Sequence, residues 1–192
     1  MVSTLAKVCA LVVSIMLSIT VAEIPNENLH NKVVIDLDLV YTPSPILESD
    51  EDMCIENVQC RVLAEAVFFE SRGEPTKGQY AVAFVVRNRR DNERRWGDNI
   101  AKVVNSKRNG VCQFSYVCQL DRATMNKMMN RSYDAWVESL QVAYDVYYFA
   151  VDDWTQGADH FYNPSKVNRT PRFAQVYEYV AHVGGHKIFK SN

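Results

Sequence analysis

The sequence predicts an α+β domain that is mainly helical and carries a small β element. Apolar residues recur at helical spacing in three segments after Cys54, whereas the C-terminal part has few good helix formers and several short strand-like stretches. With 192 residues, of which 47% are hydrophobic, the chain can bury a core in one compact domain with an appendage.

The first 22 residues have the features of an export signal. They contain one lysine and an apolar run from Val8 to Val21, and they end in small residues that resemble the A-x-A cleavage pattern. The run is short for a membrane span. We therefore expect cleavage after Ala22 and export to the periplasm or the extracellular space. An uncleaved signal anchor is the alternative, and it would be the only membrane contact that we expect.

Residues 23–52 are predicted to form an acidic linker, and residues 53–192 the catalytic domain. The linker has eight acidic residues against Lys32, three prolines, and one stretch, Val33 to Val40, that alternates like a strand. The domain has 15 acidic residues against 19 Lys and Arg, a net charge of +4. This charge suits an anionic polymer as substrate, or a solvated basic face.

Five arginines lie close together between Arg87 and Arg95. No nucleic-acid-binding motif accompanies them, and a signal segment argues against such a partner, so we expect no nucleic acid. We expect the protein to be a monomer.

Four cysteines remain after the signal, and an even number in an exported chain indicates disulfides. Three pairings are possible, and the two C-x5-C spacings are compatible with local loops, Cys54 with Cys60 and Cys112 with Cys118. We favour the local pair for Cys112 and Cys118. Zinc is the competing use of four thiols, but the spacing is outside its usual range. We expect no metal and no cofactor.

The first predicted helix starts near Cys54 and ends at Gly73 and Pro75. Its buried stripe contains Leu63, Ala66 and Val67. Glu70 falls on the same stripe, one turn beyond Val67. Burial raises the pKa of a carboxyl group, as a glycosidase-type general acid requires. The alternative is a structural ion pair with Arg72, Arg61 or a basic residue that is distant in the chain.

Three further segments follow. Thr76-x-x-Gln79 has the form of a capping box and predicts a second helix that carries Ala81, Val82, Val85 and Val86. Residues 95–122 predict irregular structure with a short helix from Ile100 to Asn105. A long helix is predicted from Ser132 to Val151, followed by loops and a few short strands.

The stretch LAEAVFFESRGEPTKGQYAVAFVVRNR resembles the signature of the SleB-type cell-wall hydrolases, the family of the spore cortex-lytic enzymes. Its E-S-R-G-E-P core spans Glu70 to Pro75, and the G-Q-x-A-V-A segment follows from Gly78. Three later pieces agree in order: Q-F-S from Gln113, G-A-x-H-F from Gly157 and V-G-x-H from Val183. The resemblance covers about residues 60–189.

The resemblance implies a lysozyme-like or lytic-transglycosylase-like fold that cleaves peptidoglycan between N-acetylmuramic acid and N-acetylglucosamine, with Glu70 as the catalytic acid. One carboxylate suffices if the C6 hydroxyl of the muramic sugar attacks; this favours a lytic transglycosylase. A muramidase-type hydrolase would need a second carboxylate. Its candidates are Glu74, Asp121, Asp152, Asp153 and Asp159. A non-enzymatic wall-binding or virion protein is the third possibility, and bacterial enzymes and phage endolysins would look alike.

Further residues of the matched segments are predicted to bind substrate through their polar atoms. They are Glu74, Gln113, Ser115, Thr155, His160 and Tyr162. For Glu74 a hydrogen-bond anchor of the turn is the alternative. Phe114 and Phe161 are predicted to pack in the core. His182 and His186 are predicted to form hydrogen bonds, because the glycines between them spoil a helical metal pair.

Overall fold

The computed structural model describes residues 48–192. The predicted signal (residues 1–22), the strand predicted at Val33 to Val40 and most of the predicted linker lie outside the described residues. The last linker residues are helical, because helix α1 spans Glu48–Glu56 and begins six residues before Cys54.

The first predicted helix is in fact two helices. Helix α2 spans Val58–Ser71, and Asn57 separates it from α1 by acting as its N-cap. The Asn57 side chain accepts hydrogen bonds from the backbone N–H groups of Gln59 (2.9 Å) and Cys60 (3.3 Å), which satisfies two donors of the first turn. A disulfide from Cys54 to Cys60 joins the two helices across this break.

Helix α3 spans Thr76–Asp91, as predicted, but the predicted capping box is wrong. Pro75 is the N-cap residue, and the helix has no side-chain cap. The Thr76 hydroxyl donates instead to Glu138 of a distant helix (3.1 Å), and Gln79 is buried. A tertiary partner has replaced the local bond that the sequence pattern predicts.

The region after α3 is made of short elements. Helices α4 (Glu93–Trp96) and α5 (Ile100–Val104) precede a two-stranded hairpin of β1 (Lys107–Arg108) and β2 (Val111–Cys112), and helix α6 (Ser115–Gln119) follows. The predicted short helix is therefore confirmed. The hairpin turn, Asn109 and Gly110, has positive φ at both residues, as a tight turn of this handedness requires. The second disulfide joins Cys112 to Cys118, so both pairs are local.

Helix α8 spans Tyr133–Tyr148, within the predicted long helix. Helix α7 (Arg122–Arg131) precedes it and was not predicted. Its sequence has a weak apolar signal, since its buried residues are only Met125 and Met129. Asp121 caps it by accepting a hydrogen bond from the backbone N–H of Thr124 (2.7 Å).

The predicted small β element is an antiparallel sheet with the order β3-β5-β4. Strands β3 (His160–Tyr162) and β4 (Glu178–Val183) flank the central strand β5 (His186–Lys190). Two short 3₁₀ helices, Pro164–Lys166 and Arg172–Gln175, lie in the connection between β3 and β4.

The main core lies between helices α2, α3 and α8. Its largest buried side chains include Leu63, Phe68, Phe84, Phe114 and Leu140. A smaller cluster, which includes Val85, Ala158 and Ile188, joins α3 to the sheet. Helix α3 therefore contacts both the helical core and the sheet. Within residues 48–192 none of the helices has the length and hydropathy needed to cross a bilayer.

Candidate active site

Glu70 lies in the last turn of α2 and is partly buried. Burial raises the pKa of its carboxyl group to about 7, although the positive charge of Arg89 opposes this rise. The alternative ion pairs are not formed: the guanidinium groups of Arg72 and Arg61 donate to backbone carbonyls of Phe68 and Ile55. Glu70 can thus hold a proton near neutral pH, as the sequence analysis predicts for a general acid.

Arg89 is the charged neighbour of Glu70, and it is buried on α3. Its Nε donates to the backbone carbonyl of Asp159 (2.7 Å). Its guanidinium carbon lies 4.4 Å from the ring centroid of Trp96 and 5.3 Å from that of Phe114. These contacts hold a positive charge in a nearly water-free environment beside the glutamate.

Asp159 is the acidic residue next to Arg89. Its carboxylate lies 2.7 Å from His160 Nδ1 and accepts hydrogen bonds from the backbone N–H (2.9 Å) and the hydroxyl (2.6 Å) of Ser191. Burial alone would raise the pKa of Asp159, but these hydrogen bonds outweigh it and hold the pKa well below its usual range. Asp159 therefore stays ionised and balances the charge of Arg89.

Tyr116 forms the other side of the Glu70 environment. Its ring is stacked on Phe69 with centroids 4.6 Å apart. Its hydroxyl is buried without a hydrogen-bond partner among the described residues. Burial, together with the negative charges of Glu65 and Glu70, raises the pKa of Tyr116. The hydroxyl is consequently a proton-bearing donor close to two glutamates.

The structure places the other predicted binding residues in two groups, and His160, Gln113 and Ser115 form the first. His160 is buried against Asp159 and lies next to the ring of Trp96, near the Glu70 environment. Gln113 lines a small cavity of about 70 Å³ together with Trp96. Ser115 is exposed at the start of α6, directly before Tyr116. His160 and Gln113 therefore both lie beside Trp96, and Ser115 lies beside Tyr116 in the chain.

Thr155 and Tyr162 have other neighbours. Thr155 is fully buried and hydrogen-bonded to Asp153, so its hydroxyl is already used within the fold. Tyr162 is partly buried and stacks on Phe189 of the sheet with ring centroids 5.8 Å apart. For both residues the observed contacts are structural, and substrate binding stays a prediction.

Glu74 is the anchor of a turn. Its Oε2 accepts a hydrogen bond from the backbone N–H of Gly185 (2.5 Å), which lies in the turn between β4 and β5. Gly184 has a positive φ of 54°, and a side chain there would collide with Glu74 and Pro75. The two glycines therefore let the turn approach the carboxylate closely, in agreement with the structural alternative for Glu74.

Among the aspartates considered as a second carboxylate, Asp121, Asp153 and Asp159 form hydrogen bonds within the fold as well. Asp121 caps α7, and Asp153 accepts hydrogen bonds from Asn88, Thr155 and Gly157. Asp159 is bound to His160 and Ser191, and Asp152 is exposed.

The aromatic and histidine predictions can also be compared with the structure. Phe114 is buried in the main core, and Phe161 packs against both cores, as predicted. His186 is buried, and burial lowers its pKa, whereas His182 is exposed. No hydrogen-bond partner for His186 Nδ1 is present among residues 48–192, so its predicted hydrogen-bonding role is not observed at that atom.

Sequence reasoning missed two buried neighbours of Glu70, Arg89 and Tyr116, and also Trp96, which packs on Arg89. It grouped Arg89 with four other arginines, but their partners differ: Arg90 pairs with Asp91, and Arg95 bonds to Tyr177. A signal was available, because Arg89 continues the helical spacing of the apolar residues Val82 and Val85 or Val86. Trp96 and Tyr116 lie in irregular sequence and gave no such signal.

The comparisons with known proteins agree with the motifs. The sequence profile of the cell wall hydrolase family matches residues 73–189, a stretch that begins three residues after Glu70. No curated protein sequence matches the chain.

Among solved structures, the chain is similar to the catalytic domain of the germination-specific lytic transglycosylase SleB from Bacillus anthracis. The identity is 23% and the TM-score 0.52, over 78% of this chain and 100% of that one. The catalytic domain of the Bacillus cereus SleB protein matches with 21% identity and a TM-score of 0.44, over 77% and 94% of the two chains. The predicted mainly helical, lysozyme-like fold is thus confirmed, and the chain is an enzyme that belongs to the cell wall hydrolase family.

Proposed function

We propose that this enzyme cleaves the glycan strand of peptidoglycan between N-acetylmuramic acid and N-acetylglucosamine as a lytic transglycosylase. The observation that carries the proposal is Glu70, a partly buried carboxyl group at a helix end whose pKa burial raises to about 7. Family membership and the likeness to a lytic transglycosylase support the substrate class. A wall substrate also favours an exported enzyme.

Glu70 would act first as an acid and then as a base. Its proton passes to the glycosidic oxygen as the bond from that oxygen to C1 of the muramic sugar breaks, leaving positive charge on the sugar ring. The C6 hydroxyl oxygen of the same sugar then bonds to C1. The proton of this hydroxyl passes to the Glu70 carboxylate, so that a 1,6-anhydromuramoyl end forms and no water is consumed.

A one-carboxylate mechanism is favoured by the hydrogen bonds of the other acidic residues. Glu74 binds the turn at Gly185, and Asp153 and Asp159 are held by several donors. A hydrolase would require a second carboxylate to activate water or to attack C1, at a separation of roughly 5 to 9.5 Å from the acid. The existing bonds of Glu74, Asp153 and Asp159 make these three poor candidates, and the exposed Asp152 stays a candidate for the hydrolase alternative.

Mass spectrometry of the soluble products from purified peptidoglycan tests the proposal. We expect anhydromuramoyl ends with the wild-type protein and no products with Glu70→Gln, while Glu93→Gln, at an exposed position of α4, serves as a matched control with full activity. Reducing ends that are lost in Glu70→Gln would instead identify a hydrolase. If wild type releases nothing from several wall types, the proposed activity is wrong.

A further inference from the structure

A cavity of about 440 Å³ lies beside helix α2 and is separate from the groups that surround Glu70. Helices α1, α2, α7 and α8 each contribute side chains to its walls. The cleavage chemistry proposed for Glu70 uses none of these side chains. The cavity is therefore a candidate for a second site on the same domain.

Two arginines bring positive charge to this cavity. Arg122 extends from α7 with 61% of its side chain exposed, and Arg61 lies on α2 one turn before Glu65. The buried Glu65 carboxylate accepts a hydrogen bond from Arg122 Nη1 (2.5 Å). A guanidinium group has five N–H donors, so this bond leaves Nε and Nη2 of Arg122 for a second acceptor. One carboxylate against two guanidinium groups gives the cavity a net positive charge.

The lining also offers groups that bind amides and small apolar side chains. Asn126 and Asn130 follow Arg122 by four and eight residues on one face of α7, and both line the cavity. Each carboxamide has two N–H donors and one acceptor oxygen. Trp136 and Met129 supply apolar surface. The cavity therefore suits a ligand that combines a carboxylate, peptide groups and small apolar side chains.

Tertiary contacts hold these walls in place. Arg61 Nη1 donates to the backbone carbonyl of Ile55 (3.0 Å), which also lines the cavity. The buried Cys54–Cys60 disulfide joins the two residues that directly precede this pair. The ring of Trp136 meets that of Phe68 edge-on, with centroids 6.0 Å apart. Binding to such preorganised walls loses less conformational entropy than binding to mobile ones.

The cavity and Glu70 lie at different positions along the same helix. Arg61 and Glu65 are on α2, and Glu70 is in its last turn. At about 1.5 Å per residue, Glu65 lies about 7.5 Å and Arg61 about 13.5 Å along the helix axis from Glu70. A group bound in the cavity therefore belongs to a part of the substrate other than the bond that is cleaved.

We propose that this cavity binds the short peptide that peptidoglycan carries on its muramic acid residues, with Arg122 and Arg61 holding a carboxylate of that peptide. The inference rests on the proposed function and deepens it, because it names the part of the substrate that is recognised away from Glu70. Charge-assisted hydrogen bonds between guanidinium and carboxylate groups supply the attraction. The net positive charge of residues 53–192 agrees with an anionic substrate.

The test compares the cleavage of soluble glycan strands that keep their peptides with that of strands from which an amidase has removed them. Removal leaves the lactyl carboxylate of muramic acid, so both strands are anionic. The variants are Arg122→Met and the double variant Glu65→Gln with Arg122→Met. Lys127→Met is the matched control, because Lys127 is an exposed cation of α7 that does not line the cavity.

For wild type we expect KM to be about fivefold lower on the strands with peptides, the upper range for an exposed ion pair. Both Arg122 variants should lose this preference through a higher KM on those strands, with kcat unchanged because the cavity is separate from Glu70. Lys127→Met should keep the preference. A general loss of positive charge or of stability would not change the ratio of the two KM values.

The double variant decides if Arg122→Met does not fold. It leaves no unpaired carboxylate, glutamine keeps the shape of Glu65, and most of the Arg122 side chain is in solvent, so packing is preserved. A wild-type preference in the folded double variant would overturn the proposal. An equal rise of KM on both strands would overturn it too, because the bound group would then be the lactyl carboxylate or the glycan.

A binding measurement separates this inference from the proposed function. Isothermal titration calorimetry with strands that keep their peptides is carried out on Glu70→Gln, with and without Arg122→Met, and needs no turnover. We expect the affinity to fall about fivefold when Arg122 is replaced. If no protein cleaves peptidoglycan but the affinity still depends on Arg122, the proposed function has failed while the peptide site stands. If cleavage is observed and the affinity does not depend on Arg122, the peptide site is wrong.

Discussion

Glu65 and Glu70 lie on the same helix, α2, and their environments differ. Glu65 is 4% exposed and forms an ion pair with Arg122 (2.5 Å), whose side chain is largely in solvent. Within residues 48–192 Glu70 forms no such pair; the buried Arg89 lowers its pKa by its charge but is hydrogen-bonded to the backbone carbonyl of Asp159. One carboxylate is satisfied by a direct bond and the other is left able to exchange a proton. Burial of a glutamate is therefore insufficient to identify a catalytic acid; its partners decide.

The largest expected effect is on turnover. Glu70→Gln removes the transferable proton while keeping the size of the side chain, so we expect the rate of product release to fall about a thousandfold. Glu65→Gln should keep most of the activity. The rates of soluble muropeptide release from the two variants measure the difference directly. An equal loss in both would contradict the assignment of the acid to Glu70.

The second effect is on stability and depends on pH. The pKa of Glu70 rises from 4.5 to about 7 on folding, so wild type loses stability as pH rises through this window, when the folded state must ionise a buried carboxyl group. Glu70→Gln has no ionisable group at this position and therefore does not lose stability in this pH window. We expect it to gain about 3 kcal/mol relative to wild type between about pH 4 and about pH 8.5, as measured by urea denaturation. A difference that does not change with pH would refute the raised pKa.

The third effect concerns the ion pair between Glu65 and Arg122. Glu65→Gln leaves Arg122 without its charged partner, and we expect a loss of about 1–2 kcal/mol because the arginine can still be solvated. Arg122→Met should cost more, about 3 kcal/mol, because it leaves the buried Glu65 carboxylate without its charged partner. Denaturation of both single variants and the double variant gives the coupling energy. A coupling near zero would show that the pair is not stabilising.

The smallest effect is expected at the other glutamate of the motif. Glu74→Gln keeps an oxygen that can accept from Gly185, so stability should fall by only about 0.5 kcal/mol and activity should persist. Glu74→Ala, which removes the acceptor, should cost more. If Glu74→Gln folds normally but loses its activity, and wild type releases reducing ends, Glu74 is the second carboxylate of a hydrolase.

The sequence by itself determined the helical segments and the face to which Glu70 belongs. Helical spacing predicted α2 and α3, and Gly73 and Pro75 marked the break between them. The C-x5-C spacing was compatible with the two local disulfides that formed. Helix α7 escaped prediction because it buries few apolar residues. The false capping box at Thr76 shows that a distant acceptor can replace a local one.

Only the tertiary structure decided which groups surround Glu70. The bonds that define the site connect residues far apart in the chain: Arg89 to Asp159, and Glu74 to Gly185. Periodicity states which residues face inward but not which side chains from other elements they meet. Since the pKa of a buried group depends on those neighbours through space, the chemistry of Glu70 could be anticipated from its spacing, and its partner Arg89 could not.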